Sequence, residues 1–203
     1  MNSKKISLQP YISIDLETTG LNLGKSQILQ IAAIYDDGTT LVDKLITLNI
    51  YINQQITYVE LDALVMHEKT KIFSKIQEAN KAKESKKIGP AIDTFLDFID
   101  VCRTPNGFGS KYKMTLGGKN ASTYDIPVLK NWMSEEQLER FNELVYHSVI
   151  DVGSIYFQDF GRIPSLTEIL KQLQISHGIT REEVTHNALY DALDVVTAIR
   201  SRI

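Results

Sequence analysis

Cysteine is almost absent. Cys102 stands alone among 203 residues, which rules out an intramolecular disulfide and a cysteine-rich zinc site. Long apolar runs are missing too: nothing approaches a membrane span, and the polar start MNSKK lacks a signal-peptide pattern. There is no excess of basic residues. Net charge is −3, so no global positive field exists of the kind that wraps long duplex DNA. A protein acting on a strand end needs few phosphate contacts, and mild acidity is compatible with that. Gly/Ser/Pro-rich linkers and internal repeats are lacking, and His67, His147, His177 and His186 are too dispersed for a zinc motif.

What is present is ordinary globular material, 43% hydrophobic and 23% charged. One domain in a reducing, cytoplasmic setting is the expectation, with no membrane association. In residues 11–17, YISIDLE, Ile12, Ile14 and Leu16 point one way while Ser13, Asp15 and Glu17 point the other. That alternation predicts a strand with an apolar underside and an acidic upper side. Residues 28–35, ILQIAAIY, read as a central strand covered on both faces. Asp37-Gly38 signals a tight turn, and LVDKLITLNI reads as a third strand of an antiparallel run. The period then becomes helical. Gly89-Pro90 opens a segment in which Ile92, Phe95, Leu96 and Ile99 share a face. Residues 111–118 read as a short strand and a helix follows from Ser122 or Thr123. Capping boxes are expected at Ser134/Gln137 and Ser165/Glu168. Residues 146–152 form a last strand, and a helix carrying Leu189, Ala192, Leu193, Val196 and Ile199 on one face closes the chain. This order predicts an α/β or α+β domain with a mixed sheet.

Two carboxylates one residue apart on a strand emerge side by side, and like charges that close are unfavourable unless a cation compensates them. Hard divalent ions prefer oxygen ligands. Asp15 and Glu17 therefore read as half of a metal site, with a solvated acid pair as the plain alternative. The polar turn Thr18-Thr19-Gly20-Leu21 follows directly. Asp125, in GKNASTYDIPVL, either completes such a site or caps a helix three residues after Ser122. Asp191, in THNALYDALDVV, faces the same choice. Ala188 and Ala192 would let its helix approach the sheet closely enough to bring Asp191 towards Asp15. His186 precedes Asp191 by five residues, a spacing that splays side chains apart on a continuous helix. It makes sense if His186 lies on the loop just before the helix.

YISIDLETTGL, KNASTYDIPVL and THNALYDAL resemble the three motifs of the DnaQ-like exonucleases with a catalytic histidine (the DEDDh group), which includes the proofreading subunit of bacterial DNA polymerase III, ribonuclease T and oligoribonuclease. The resemblance runs from about residue 11 to the end of the sequence, with residues 1–10 as a tail and 11–203 as the exonuclease domain. It implies a ribonuclease H-like fold with a mixed five-stranded sheet flanked by helices, and metal-dependent 3′→5′ removal of nucleoside 5′-monophosphates from single-stranded DNA or RNA ends. It further implies that Asp15, Glu17, Asp125 and Asp191 bind two ions, Mg²⁺ or Mn²⁺, and that His186 is the general base. Thr18, Thr19, Leu21 and Asn120 fall where family members contact substrate. Asp151 matches a recurrent acid, with helix capping as its plain alternative. The sequence departs from better-known members over residues 68–89, where Lys69, Lys71, Lys75, Lys81, Lys83, Lys86 and Lys87 cluster; a solvated helix face is the first reading and a substrate-guiding patch the second. The alternatives are an oligoribonuclease-like enzyme, an endonuclease with the same ions, and a catalytically silent nucleic-acid-binding module. The sequence stops just past the last expected helix, so no polymerase domain is expected, and whether a polymerase or other protein partner recruits it is not legible.

Overall fold

In the structure, a computed structural model, residues 9–103, 112–177 and 186–202 are described. Most of the expected N-terminal tail and Lys111 of the expected fourth strand lie outside them. Five strands form one sheet: β1 (Tyr11–Thr18), β2 (Ile28–Asp36), β3 (Ile46–Tyr51), β4 (Met114–Gly118) and β5 (Val145–Asp151). Their order is β3-β2-β1-β4-β5. β1 pairs antiparallel with β2 and parallel with β4, so the sheet is mixed with β1 at its centre.

The link from β3 to β4 carries helices α1 (Leu61–Thr70), α2 (Ile72–Lys81) and α3 (Ile88–Arg103). α4 (Asp125–Asn131) and α5 (Glu135–Leu144) join β4 to β5, and α6 (Val152–Ile155), α7 (Phe157–Phe160), α8 (Leu166–His177) and α9 (Ala188–Arg200) follow. Both expected capping boxes form: Gln137 N donates to Ser134 Oγ at 3.2 Å and Glu168 N to Ser165 Oγ at 3.3 Å, and in return Ser134 N donates to Gln137 Oε1 at 3.1 Å and Ser165 N to Glu168 Oε2 at 2.8 Å. The Asp37-Gly38 signal marks a turn, with Gly38 at φ 73, but the connection to β3 is longer than a tight hairpin and includes a 3₁₀ turn, Val42–Lys44.

The alternation in β1 sorts its residues between two cores. Ile12, Ile14 and Leu16 pack with Ile92, Phe95, Leu96 and Ile99 of α3; each fully buried side chain of this size contributes about 2 kcal/mol. Tyr11, on the other face, packs with Ala192, Val195, Val196 and Ile199 of α9. The acidic side of β1 is therefore no solvated surface, because α9 lies across it. Small residues permit the approach: Ala188 and Ala192 are fully buried, Ser13 Oγ donates to the Ala192 carbonyl at 2.9 Å, and Ala188 N donates to Gln30 Oε1 at 3.3 Å.

The far end of α9 is clamped. Arg200 Nε donates to both oxygens of fully buried Asp36 at 3.1 Å and its Nη1 to the Thr40 carbonyl at 2.7 Å. Removing one partner of a buried pair strands the other charge, at a cost of about 3 kcal/mol or more. Arg200→Met is expected to lose about that much in urea denaturation at pH 7, and a loss under about 1 kcal/mol would show that α9 is held by its apolar face alone.

Candidate active site

Asp15 and Glu17 lie on β1 beside the first turn of α9. Asp191, in the first turn of α9, meets them there: one ligand atom from each of Asp15, Glu17 and Asp191 lies within 4.8 Å of the others. Glu17 and Asp191 are buried and Asp15 is half-buried.

Asp125 approaches from the β4 side. β1 pairs with β4 only through Ser13, and beyond that point Asp125 Oδ1 takes the Leu16 N–H at 3.0 Å. The turn bringing it there crowds against β1 at Gly118, where a Cβ would sit 2.9 Å from the Ile14 carbonyl and 2.7 Å from Ala121 Cβ. Asp125 opens α4, and Tyr124 rather than Ser122 occupies the cap position, without a side-chain bond. The capping alternative is thus not the arrangement seen.

Burial, then Asp125, Asp191, Glu17 and Asp194, raise the pKa of Asp15 well above its usual value. Burial, then Asp191 and Asp125, push Glu17 up to about 8 against a weaker opposing pull from Lys75. Burial takes Asp125 to about 7, although the backbone N–H groups of Asp125 and Leu16 favour its charged form. A divalent cation, preferring oxygen ligands and supplying the missing positive charge, suits this donor set.

Asp15, Glu17 and Asp191 line a cleft of about 380 Å³, whereas Asp125 sits behind them against the Leu16 N–H and does not line it. His186 lines it from the loop ahead of α9, with φ 49 in the left-handed region. Burial, then Lys69, hold its pKa below the usual value. Thr18 and Leu21 line the cleft; Thr19 and Asn120 do not. Thr19 is fully buried, its hydroxyl accepting from Gln27 N at 2.9 Å, because it pins the turn to β2. Asn120 is exposed at φ 61, with its N–H on Asp151 at 2.7 Å and its amide oxygen on Lys119 Nζ at 2.7 Å. Asp151 also accepts from Ser154 N at 2.8 Å as the cap of α6.

The opposite wall was not legible in the sequence. Asp62, Ala63 and Met66 of α1 line the cleft, with Glu60 just before them. Glu60 gathers the turn after β1, accepting from Leu21 N at 2.9 Å, Asn22 N at 3.2 Å and Tyr58 Oη at 2.7 Å. A Cβ at Gly20 would lie 2.5 Å from the Glu60 carboxyl carbon, so a larger residue there would displace the side chain that gathers the turn. The Tyr124 hydroxyl donates to the Gly20 carbonyl, and Lys119 and Leu166 complete the lining. Tyr124 and Lys119 flank residues already singled out by motif; α1 carried no comparable signal.

The exonuclease (RNase T) family model matches residues 12–199. The fold is similar to that of E. coli exonuclease I. Against its zinc-bound complex with single-stranded DNA the TM-score is 0.65, at 16% identity over 95% of this chain. Against its complex with a 5cy-dA13 oligonucleotide the values are 0.64, 16% and 95%, and against the apo enzyme 0.62, 15% and 95%. This chain spans 40% of the first two of those chains and 41% of the third. No curated protein matches its sequence. With a match along nearly its whole length, the chain belongs to the RNase T exonuclease family, in the DnaQ-like group that its three motifs resemble.

Proposed function

We propose that residues 11–203 form a 3′→5′ exonuclease domain that hydrolyses single-stranded nucleic acid to nucleoside 5′-monophosphates. One observation carries this reading: carboxylates from β1 and α9, 174 positions apart between Glu17 and Asp191 (191 − 17), converge within 4.8 Å at a cleft that His186 also lines. Asp15, Glu17 and Asp191, with Asp125 beside them, would hold two divalent cations, Mg²⁺ or Mn²⁺. Bound there, the cations would supply charge stabilisation for both the attacking and the leaving oxygen. His186 takes the proton of the attacking water. Its lowered pKa keeps the imidazole neutral, and so able to accept, at pH 7 and above. Thr18 and the exposed Leu21 lie where the terminal nucleotide would rest, and Glu60 holds that turn in place.

A single strand is favoured because the cleft is local and the chain has no basic surplus. Exonuclease I, which shares the fold, is seen with single-stranded DNA. The test uses 5′-labelled DNA and RNA oligomers of several lengths with Mn²⁺, alongside a circular single strand. Ladders shortening from the 3′ end, with the circle intact, are the expected result; the two sugars distinguish a deoxyribonuclease from an oligoribonuclease-like enzyme. Cutting of the circle would make the protein an endonuclease, and binding of every oligomer without metal-dependent cleavage would make it a silent module. His186→Ala is expected to lower kcat by about 10²–10⁴-fold while leaving Mn²⁺ binding intact. Undiminished hydrolysis by the purified variant would remove the base assignment.

A further inference from the structure

We infer that His67 is the residue that aims Glu17 into the metal centre, acting from outside it. This rests on Glu17 being a metal ligand, as proposed above. His67, one of the four dispersed histidines, lies on α1 and is fully buried. Its surroundings give it a more specific task. Nε2–H donates at 2.7 Å to the main-chain carbonyl of Thr18, which can only accept. That carbonyl sits where the pairing of β1 with β2 loses register, between Glu17 and Thr18. Glu17 faces Gln30 and Thr18 faces Ile28, so the ladder is bulged there before it resumes. The histidine adds a hold on the chain at that bulge from another element.

The other ring nitrogen faces the acid itself. Nδ1 is buried without a hydrogen-bond partner among the described residues, and it lies 3.9 Å from Glu17 Oε2. Phe73 of α2 stands edge-on to the ring with centroids 5.9 Å apart, so the imidazole is held from behind. The ring is therefore wedged between the Thr18 carbonyl, the Glu17 carboxylate and Phe73. Through it α1, which carries the far wall of the cleft, is joined to the strand that carries the acids. Groups that orient a metal ligand without touching the metal typically govern affinity by about 10–100-fold. His67 is a positioning residue in that sense.

Three substitutions separate positioning from packing. His67→Phe keeps a flat ring in the core and loses the donor. His67→Gln places an amide nitrogen close to the Nε2 position and keeps it. His67→Ala loses both ring and donor. Mn²⁺ affinity is measured by electron paramagnetic resonance of the free ion, with thermal melting followed in parallel. The wild type is expected to bind Mn²⁺; His67→Phe and His67→Ala are expected to weaken binding by about 10-fold or more, and His67→Gln by less than about threefold. At saturating Mn²⁺ the KM of the Phe variant for an oligonucleotide stays near that of the wild type. A packing role predicts the opposite order, with Phe benign. A folded Phe variant with wild-type affinity overturns the inference, as does a Gln variant as weak as the Phe one. Failure of the wild type itself to bind Mn²⁺ overturns the metal-centre reading, and the assignment of His67 with it.

Discussion

Asp15→Asn is expected to lose at least about a thousandfold in turnover, read as mononucleotide released at saturating Mn²⁺ from a variant whose circular dichroism matches the wild type. The amide keeps the size of the side chain and removes its charge. Asp15 is the group on which the other carboxylates act together: after burial itself, Asp125, Asp191, Glu17 and Asp194 all raise its pKa. A ligand at that focus supports several kcal/mol of transition-state charge stabilisation, and each 1.4 kcal/mol or so is a factor of ten in rate. Retention of a tenth of the wild-type rate would mean that the chemistry is centred elsewhere.

Stripped of divalent cations by EDTA, the wild type is expected to melt progressively lower as pH rises from 5 to 8. Glu17 lies at about 8 against an ordinary 4.5, and Asp125 at about 7 against 3.8. The folded chain thus holds protons that the unfolded chain has already released. Below about pH 3 both are protonated in either state and no penalty applies. As pH climbs, the unfolded state ionises first and stability falls, levelling only once the folded carboxyls have ionised near 7–8. Spread over several coupled acids this is worth several kcal/mol, or on the order of 10 °C in a chain of this size. Excess Mn²⁺ flattens the slope, and Asp15→Asn in EDTA at pH 8 melts higher than the wild type. Calorimetry showing a level melting temperature across that range without metal would contradict the burial and crowding described for these acids.

Much of the frame could be read directly from hydrophobic period. β1 divides its alternate residues between two cores, β2 is buried throughout, and α3 and α9 each bury one face against the sheet, so their apolar residues fall at the spacing their geometry demands. α1 escaped for the complementary reason. It buries little besides Ala63 and His67, and leaves Leu61, Leu64 and Val65 exposed, so no stripe announces it. The acids were legible as motifs. Their burial was not, because the alternation in β1 looks the same whether water or α9 covers the polar side. Thr19 and Asn120 illustrate another limit: neighbours in a turn point to different places, and only the fold separates the Thr18 that lines the cleft from the Thr19 that holds the turn to β2. The lysine-rich stretch divides in a similar way. Most of its members are solvated, yet Lys75 is half-buried and acts on Glu17, and Lys69 acts on His186.

His186 holds a left-handed backbone conformation, φ 49, which glycine enters without steric cost and which histidine adopts more readily than most residues do. Exchanging it for glycine would lose the proposed proton acceptor at little steric cost, just as neutralising Asp15 would relieve crowding while losing a proposed ligand. At these two positions folding does not guard the proposed chemistry, whereas Asp125 and Glu60, which also hold main-chain N–H groups, are retained by folding as well. Selection for turnover would be what keeps the first pair.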